Sequence, residues 1–309
     1  MHIHITELID GARHARGLTV IIDVFRAFTT ECYAFAGGAA RSYPIGSLDD
    51  AFALKAAHPD WLLLGERGGA KVEGCDLGNS PYDVTQTDFR GKTLIHSTSA
   101  GTQGIVAAAE AGATEIITGS LVNARAVCAY VRSRVPDTVT IVAMGKAGTI
   151  PINEDRLCAY YMAFLLSETQ EEYEEICRTS DCLRTPPTPE ATLADLRHIE
   201  TVPEAVPGTA TSFNADMVPG TAAINTGNVP GTTIPGYVLP DRDTAFSLTG
   251  KIAWLKNHGG QQFFDPATIH IFPREDYPLC VACNHFPFVL KVGKEEGRLI
   301  IEKNNGASK

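Results

Sequence analysis

Residues 93–145 read TLIHSTSAGTQGIVAAAEAGATEIITGSLVNARAVCAYVRSRVPDTVTIVAMG. Three short apolar runs, at 93–97, 114–119 and 138–145, alternate with two longer stretches, 102–111 and 124–134, whose alanine and aliphatic residues recur at helical spacing. Runs this short, β-branched and almost wholly apolar suit strands covered on both faces, so the segment predicts a strand–helix repeat with parallel pairing. Toward the N-terminus the rhythm continues. LTVIID (18–23), RSYPI (41–45) and WLLLGE (61–66) are further strands, with helices predicted at about 26–36 and 48–57 and another at 154–166.

The fold class predicted is α/β: a three-layer α/β/α sandwich around a mostly parallel, mixed central sheet, with residues 1–166 as its core. From 167 to 265 the character changes. Acidic residues give way to RTPPTPEA, and VPGT recurs at 206–209, 218–221 and 229–232. Spacings of eleven or twelve residues are too short for a solenoid repeat, and the proline and glycine content argues against helix. This stretch is expected to be a long Pro/Gly-rich insertion, lid-like or on the surface. Residues 266–309 are expected to complete the core with a helix in EDYPLCVACNHF. A hairpin then follows, through residues 293–297, that rejoins the main sheet or covers its edge.

The chain has 309 residues, with 26 Lys+Arg against 36 Asp+Glu, a formal charge of −10. No basic stripe is present, which argues against a nucleic-acid partner. No run approaches the ~20 apolar residues of a membrane span. The opening MHIHITELID lacks the features of a signal peptide, so a cytoplasmic location is expected. Eight cysteines are too sparse for a disulfide scaffold and are expected to be thiols. The tight pair Cys280 and Cys283, with His285 nearby, would need two more ligands to hold zinc and reads as packing in a helix.

In sheets of this kind ligands sit beyond the carboxyl ends of the strands. Asp23 ends the first apolar run and Arg26 opens the next helix. Glu66 and Arg67 lead into GERGGAKVEGCDLGNSP, five glycines in seventeen residues, which ends near Asn79 and Ser80. Such a backbone can approach an anion closely. Thr98, Gly101 and Thr102 surround the start of the helix after the fourth run, a candidate anion cradle that matches neither G-x-x-x-x-G-K-[ST] nor G-x-G-x-x-G. Asn123 follows the fifth run, and Lys146, Glu154 and Asp155 follow the sixth. Asp23, Glu66 and Asp155 supply hard oxygen donors of the kind Mg²⁺ takes. Each also has an ordinary structural reading: Asp23 as a helix cap, Glu154 and Asp155 as carboxylates at a helix N-terminus.

The blocks IDVFRAFTT, GERGGAKVEGCDLGNSP, GKTLIHSTSAGT, ITGSLVNARAV and IVAMGKAGTIPINEDRLCA, in this order, resemble the 2-phosphosulfolactate phosphatase family of coenzyme M biosynthesis. The resemblance covers about residues 1–166 and implies a Mg²⁺-dependent hydrolase that converts 2-phospho-3-sulfolactate to 3-sulfolactate and phosphate. On that footing Asp23 holds Mg²⁺ with Glu66 or Asp155, or acts as nucleophile, and Arg26 and Arg67 clamp the substrate's anionic groups. Asn79, Ser80, Thr98, Gly101, Thr102 and Asn123 complete the expected binding set for a small, anionic, phosphorylated substrate. Two departures stand out: Ala100 replaces the family's usual asparagine, and the 167–265 stretch is longer than the family's connection. They keep open a phosphatase for another phospho-acid or sugar phosphate, and a non-catalytic anion binder. A homo-oligomer is likewise left open.

Overall fold

The computed structural model describes residues 1–181 and 246–305. The VPGT repeats and most of the expected insertion lie outside those residues.

Among the described residues ten strands form one mixed sheet: β1 His2–Glu7, β2 Leu18–Ile22, β3 Arg41–Pro44, β4 Leu62–Arg67, β5 Ala70–Lys71, β6 Thr93–Ser97, β7 Glu115–Gly119, β8 Thr138–Ala143, β9 Val289–Glu295 and β10 Arg298–Asn304. Their order is β1-β8-β2-β7-β9-β10-β3-β6-β4-β5. Pairing is parallel within β1-β8-β2-β7 and within β3-β6-β4. The antiparallel hairpin β9-β10 joins the two groups.

The helices are α1 Leu8–Arg13, α2 Ala27–Ala36, α3 Leu48–Ala57, α4 Pro81–Thr85, α5 Gly101–Glu110, α6 Ala124–Arg134, α7 Asn153–Leu166, α8 Gln170–Thr179, α9 Leu248–His258 and α10 Asp276–Cys280. Helices cover both sides of the sheet, giving the three-layer sandwich. One apolar core joins β1, β2 and β8 to α6 and to α7, which is buried along its whole length. A second core joins α1, α2 and α5 to the sheet centre through Phe28, Phe35, Ile105 and Leu290. Ser47, Ser80 and Thr169 cap α3, α4 and α8 through their side chains, as hydroxyl residues at helix starts do.

Two features depart from the sequence reading. First, β1 and α1 were not expected. HIHITE alternates polar and apolar residues, and only its pairing with β8 turns it into an edge strand. Second, of the two placements expected for the closing hairpin, rejoining the main sheet is the one found, and its turn is narrower than 293–297. It sits in the middle of the sheet, Gly293 pairs with Ile300, and Glu296 and Gly297 make the turn with φ of 48° and 83°. Such paired positive angles suit a two-residue hairpin turn.

The hairpin has a consequence for the site. Three antiparallel joints separate β7 from β3, so the two parallel groups run in opposite senses. Their carboxyl ends nonetheless meet, because Gly101 after β6 donates to Asp23 after β2. The stretches flanking the undescribed segment pack on the core, α8 against β1 and α7, and α9 against α7. Among the described residues, no helix is long and apolar enough to cross a membrane.

Candidate active site

The site grows from three carboxylates, each fixed by two backbone N–H donors. Asp23 follows β2 and is 7% exposed. Its Oδ1 accepts from the Ala27 amide at 3.1 Å and its Oδ2 from the Gly101 amide at 3.0 Å. It therefore caps α2 locally and α5 across the fold. Glu66, near the end of β4, accepts from Ser99 N at 2.6 Å and Gly69 N at 2.7 Å. Asp155, in the first turn of α7, accepts from Val24 N and Gly145 N, both at 2.8 Å.

These carboxylates repel one another. Burial, and then the charge of Glu66, push the Asp23 carboxyl up to about 6, against the pull of the Ala27 and Gly101 amides and of His96. Burial and the charge of Asp23 push Asp155 up, and burial and the charge of Asp155 push Glu154 up. Glu154 is buried with its Oε2 free of hydrogen bonds within the protein, as are Asn79 Oδ1 and Asn123 Nδ2.

The two arginines differ. Arg26 is 3% exposed. Its Nη1 donates to Asp276 Oδ2 at 2.6 Å and to Ile271 O at 3.0 Å, and its Nη2 donates to Gly69 O at 2.5 Å. The ring of Phe272 lies 4.7 Å from the guanidinium carbon. In this arrangement Arg26 holds protein groups rather than presenting an anion clamp. Arg67 is half-buried; its Nη1 donates to Glu66 O and Ser97 O, and its Nη2 to Ser97 Oγ and Gly46 O.

The expected cradle at α5 is likewise engaged internally. Thr98 N donates to Thr102 Oγ1 at 3.0 Å and Thr102 N to Thr98 Oγ1 at 3.1 Å. With the Gly101 amide on Asp23, this helix end receives a carboxylate of the protein itself. Ala100 makes no side-chain cap there. Ser80 caps α4 and donates to Asp276 Oδ1 at 2.6 Å, while Asn123 pairs with Ser120 across a short 3-10 turn. Lys146 is exposed in the turn after β8. The structure thus brings Asp23, Glu66, Gly101 and Asp155 together, and seats Ser80 and Arg26 around Asp276.

Three residues the sequence reading passed over stand beside this set. Asp276 is fully buried and binds Arg26, Ser80 and Tyr82; 250 residues separate it from Arg26, and no local pattern marks it. Glu31 and His96 are buried with 3.4 Å between Oε1 and Nδ1, and neither meets hydrogen-bond geometry. A histidine within the apolar run TLIHS and a glutamate on the buried face of α2 were the available signals. Cys32 is fully buried, and burial together with Glu31 pushes its thiol up, which disfavours the thiolate a nucleophile needs.

Among the described residues, no group of three or more His, Cys, Asp or Glu side chains could hold a metal ion. Mg²⁺ commonly takes only one or two carboxylates and completes its shell with water and phosphate oxygens. A crowd of buried, mutually repelling carboxylates around Asp23 fits such a cation in charge and donor type.

The model of the family described as 2-phosphosulpholactate phosphatase matches residues 3–204. The chain is 41% identical over 152 residues to a protein of Carboxydothermus hydrogenoformans named "Probable 2-phosphosulfolactate phosphatase", covering 49% of this chain and 61% of that one. It is 40% identical over 154 residues to a protein of the same name from Microcystis aeruginosa, covering 48% and 61%. A further one from Bacillus subtilis is 35% identical over 155 residues, covering 49% and 65%. The chain therefore spans about three-fifths of the length of the relatives it matches.

Proposed function

The chain belongs to the 2-phosphosulpholactate phosphatase family, and on that premise we propose that it hydrolyses a phosphomonoester of a small, multiply anionic organic acid. The substrate favoured by its relatives' names is 2-phospho-3-sulfolactate, giving 3-sulfolactate and phosphate. One observation carries the reading: Asp23, Glu66 and Asp155 are pinned by backbone amides where the ends of β2, β4 and β8 converge, and Asp23 and Asp155 are raised by burial and then by a neighbouring carboxylate's charge.

Phosphate monoesters are among the slowest compounds to hydrolyse unaided, so catalysis rests on positioning and charge neutralisation. Mg²⁺ would be held by Asp23 with Glu66 or Asp155; when bound, it offers charge neutralisation to phosphoryl oxygens. The protein's own groups do the rest. The Ala27 and Gly101 amides keep the Asp23 carboxylate oriented, and the Ser99 and Gly69 amides do the same for Glu66. Arg67, anchored at the end of β4 and only half-buried, is the guanidinium best placed to meet a substrate anion. Asn79 Oδ1 and Asn123 Nδ2 offer polar atoms not satisfied within the protein.

Phosphate release from 2-phospho-3-sulfolactate, other phospho-acids and sugar phosphates tests the reading. Preference for the sulfolactate ester supports it. Preference for another ester reassigns the substrate, and release from none, with binding of the same esters, supports an anion-binding protein instead.

A further inference from the structure

Asp276 enters α10 from the far end of the chain, yet it lies at the centre of the contacts that fix Arg26. Its carboxylate is fully buried and accepts three hydrogen bonds, from Arg26 Nη1 at 2.6 Å, Ser80 Oγ at 2.6 Å and Tyr82 N at 3.1 Å. Arg26 passes the constraint on in two directions. Its Nη2 holds the carbonyl of Gly69, whose own amide holds Glu66 Oε2. The next residue in the chain, Ala27, supplies the amide that holds Asp23 Oδ1.

Gly69 has little freedom to take another position. It sits at φ +87°, and a Cβ there would run into the Phe272 ring. Phe272 in turn lies against the Arg26 guanidinium. The segment from Ile271 to Asp276 therefore clasps Arg26 through a carbonyl, a ring and a carboxylate, and Arg26 clasps the glycine turn below Glu66.

We propose that Asp276 is a positioning residue for the reaction: through Arg26 it fixes the Gly69 and Ala27 amides, and so holds Glu66 and Asp23 in their mutual orientation. The proposal rests on the reading of Asp23 and Glu66 given above. Partners that orient a functional carboxylate commonly cost about 10- to 100-fold in activity or ligand affinity when removed.

The test uses the full chain with Asp276→Asn, Glu66→Gln and the double variant. Asp276→Asn is expected to lower kcat by about 10- to 100-fold on the ester the wild type hydrolyses best, with KM little changed. On the Glu66→Gln background it is expected to cost clearly less than it does in the wild type, because part of its effect runs through Glu66 and only the part that runs through Asp23 remains. Hydrogen exchange of the peptide covering residues 66–72 is expected to accelerate, with exchange in β2 and β8 unaltered. Losses that multiply in the double variant, or unchanged exchange at 66–72, overturn the proposal. If Asp276→Asn does not fold, Arg26→Lys serves, since one ammonium cannot reproduce the forked contacts to Asp276 and Gly69. A wild type that hydrolyses no phosphoester overturns the assigned reaction, and the exchange measurement still decides whether Asp276 orders the Glu66 turn.

Discussion

Asp23 and Gly101 lie 78 positions apart, yet the Gly101 amide donates to Asp23 Oδ2 at 3.0 Å and ties the start of α5 to the end of β2. The bond depends on the absence of a side chain. A Cβ at position 101 would stand 3.0 Å from Asp23 Oδ2 and 3.0 Å from the Phe28 ring. Gly101→Ala is therefore expected to shift Asp23, lowering kcat while destabilising the fold by about 1–3 kcal/mol, as overpacking does. Steady-state kinetics with urea unfolding check both parts, and an unaffected kcat would show that Asp23 tolerates displacement.

The raised Asp23 carboxyl makes stability depend on pH. It titrates at about 6 when folded, against an ordinary value of 3.8. Between about pH 4 and 6 the folded protein thus holds more protons than the unfolded chain, so this group's contribution falls as pH rises through that window. Asp155 and Glu154 are pushed in the same direction and reinforce the trend. In EDTA, the Tm of Asp23→Asn minus that of the wild type is expected to grow from pH 4 to 6. A difference that stays flat would place the Asp23 carboxyl near its ordinary range.

Arg67 is expected to act on binding more than on turnover. Arg67→Ala should raise KM by about 10- to 100-fold, the range for losing a hydrogen bond to a charged group. Its Ser97 and Gly46 contacts are only partly buried, so the stability loss should be modest. An unaltered KM would remove Arg67 from the substrate's surroundings.

The Glu31–His96 pair offers a test confined to the interior. Removing one member of a buried pair costs about 3–5 kcal/mol, whereas replacing both by apolar residues is often neutral. His96→Leu alone is expected to destabilise strongly, and Glu31→Leu with His96→Leu to recover much of the loss, as measured by urea unfolding. Additive losses would show that the two side chains do not interact.

Much of the fold was legible because the central strands are continuous apolar runs, and TLIHS and the helices at 48–57 and 124–134 appear as their spacing predicts. The hairpin's place was not. VLKVGKE and RLIIEKN alternate like edge strands, and only the pairing of Val292 with Ile116 and of Ile301 with Ser42 seats them centrally. At the site, strand ends pointed to Asp23, Glu66 and Asp155 because a carboxylate after an apolar run is conspicuous. The engagement of Arg26 by Asp276 was invisible, since it joins residues with no shared local pattern. Likewise, Thr98, Gly101 and Thr102 looked like a free anion cradle because no local feature shows that Asp23 fills the helix end.

The most direct test compares phosphate release from 2-phospho-3-sulfolactate by the wild type and by Asp23→Asn, each with Mg²⁺ and with EDTA. The account predicts Mg²⁺-dependent release by the wild type and a loss of about 100-fold or more in the variant. Equal turnover by the two proteins would contradict the central place given to Asp23.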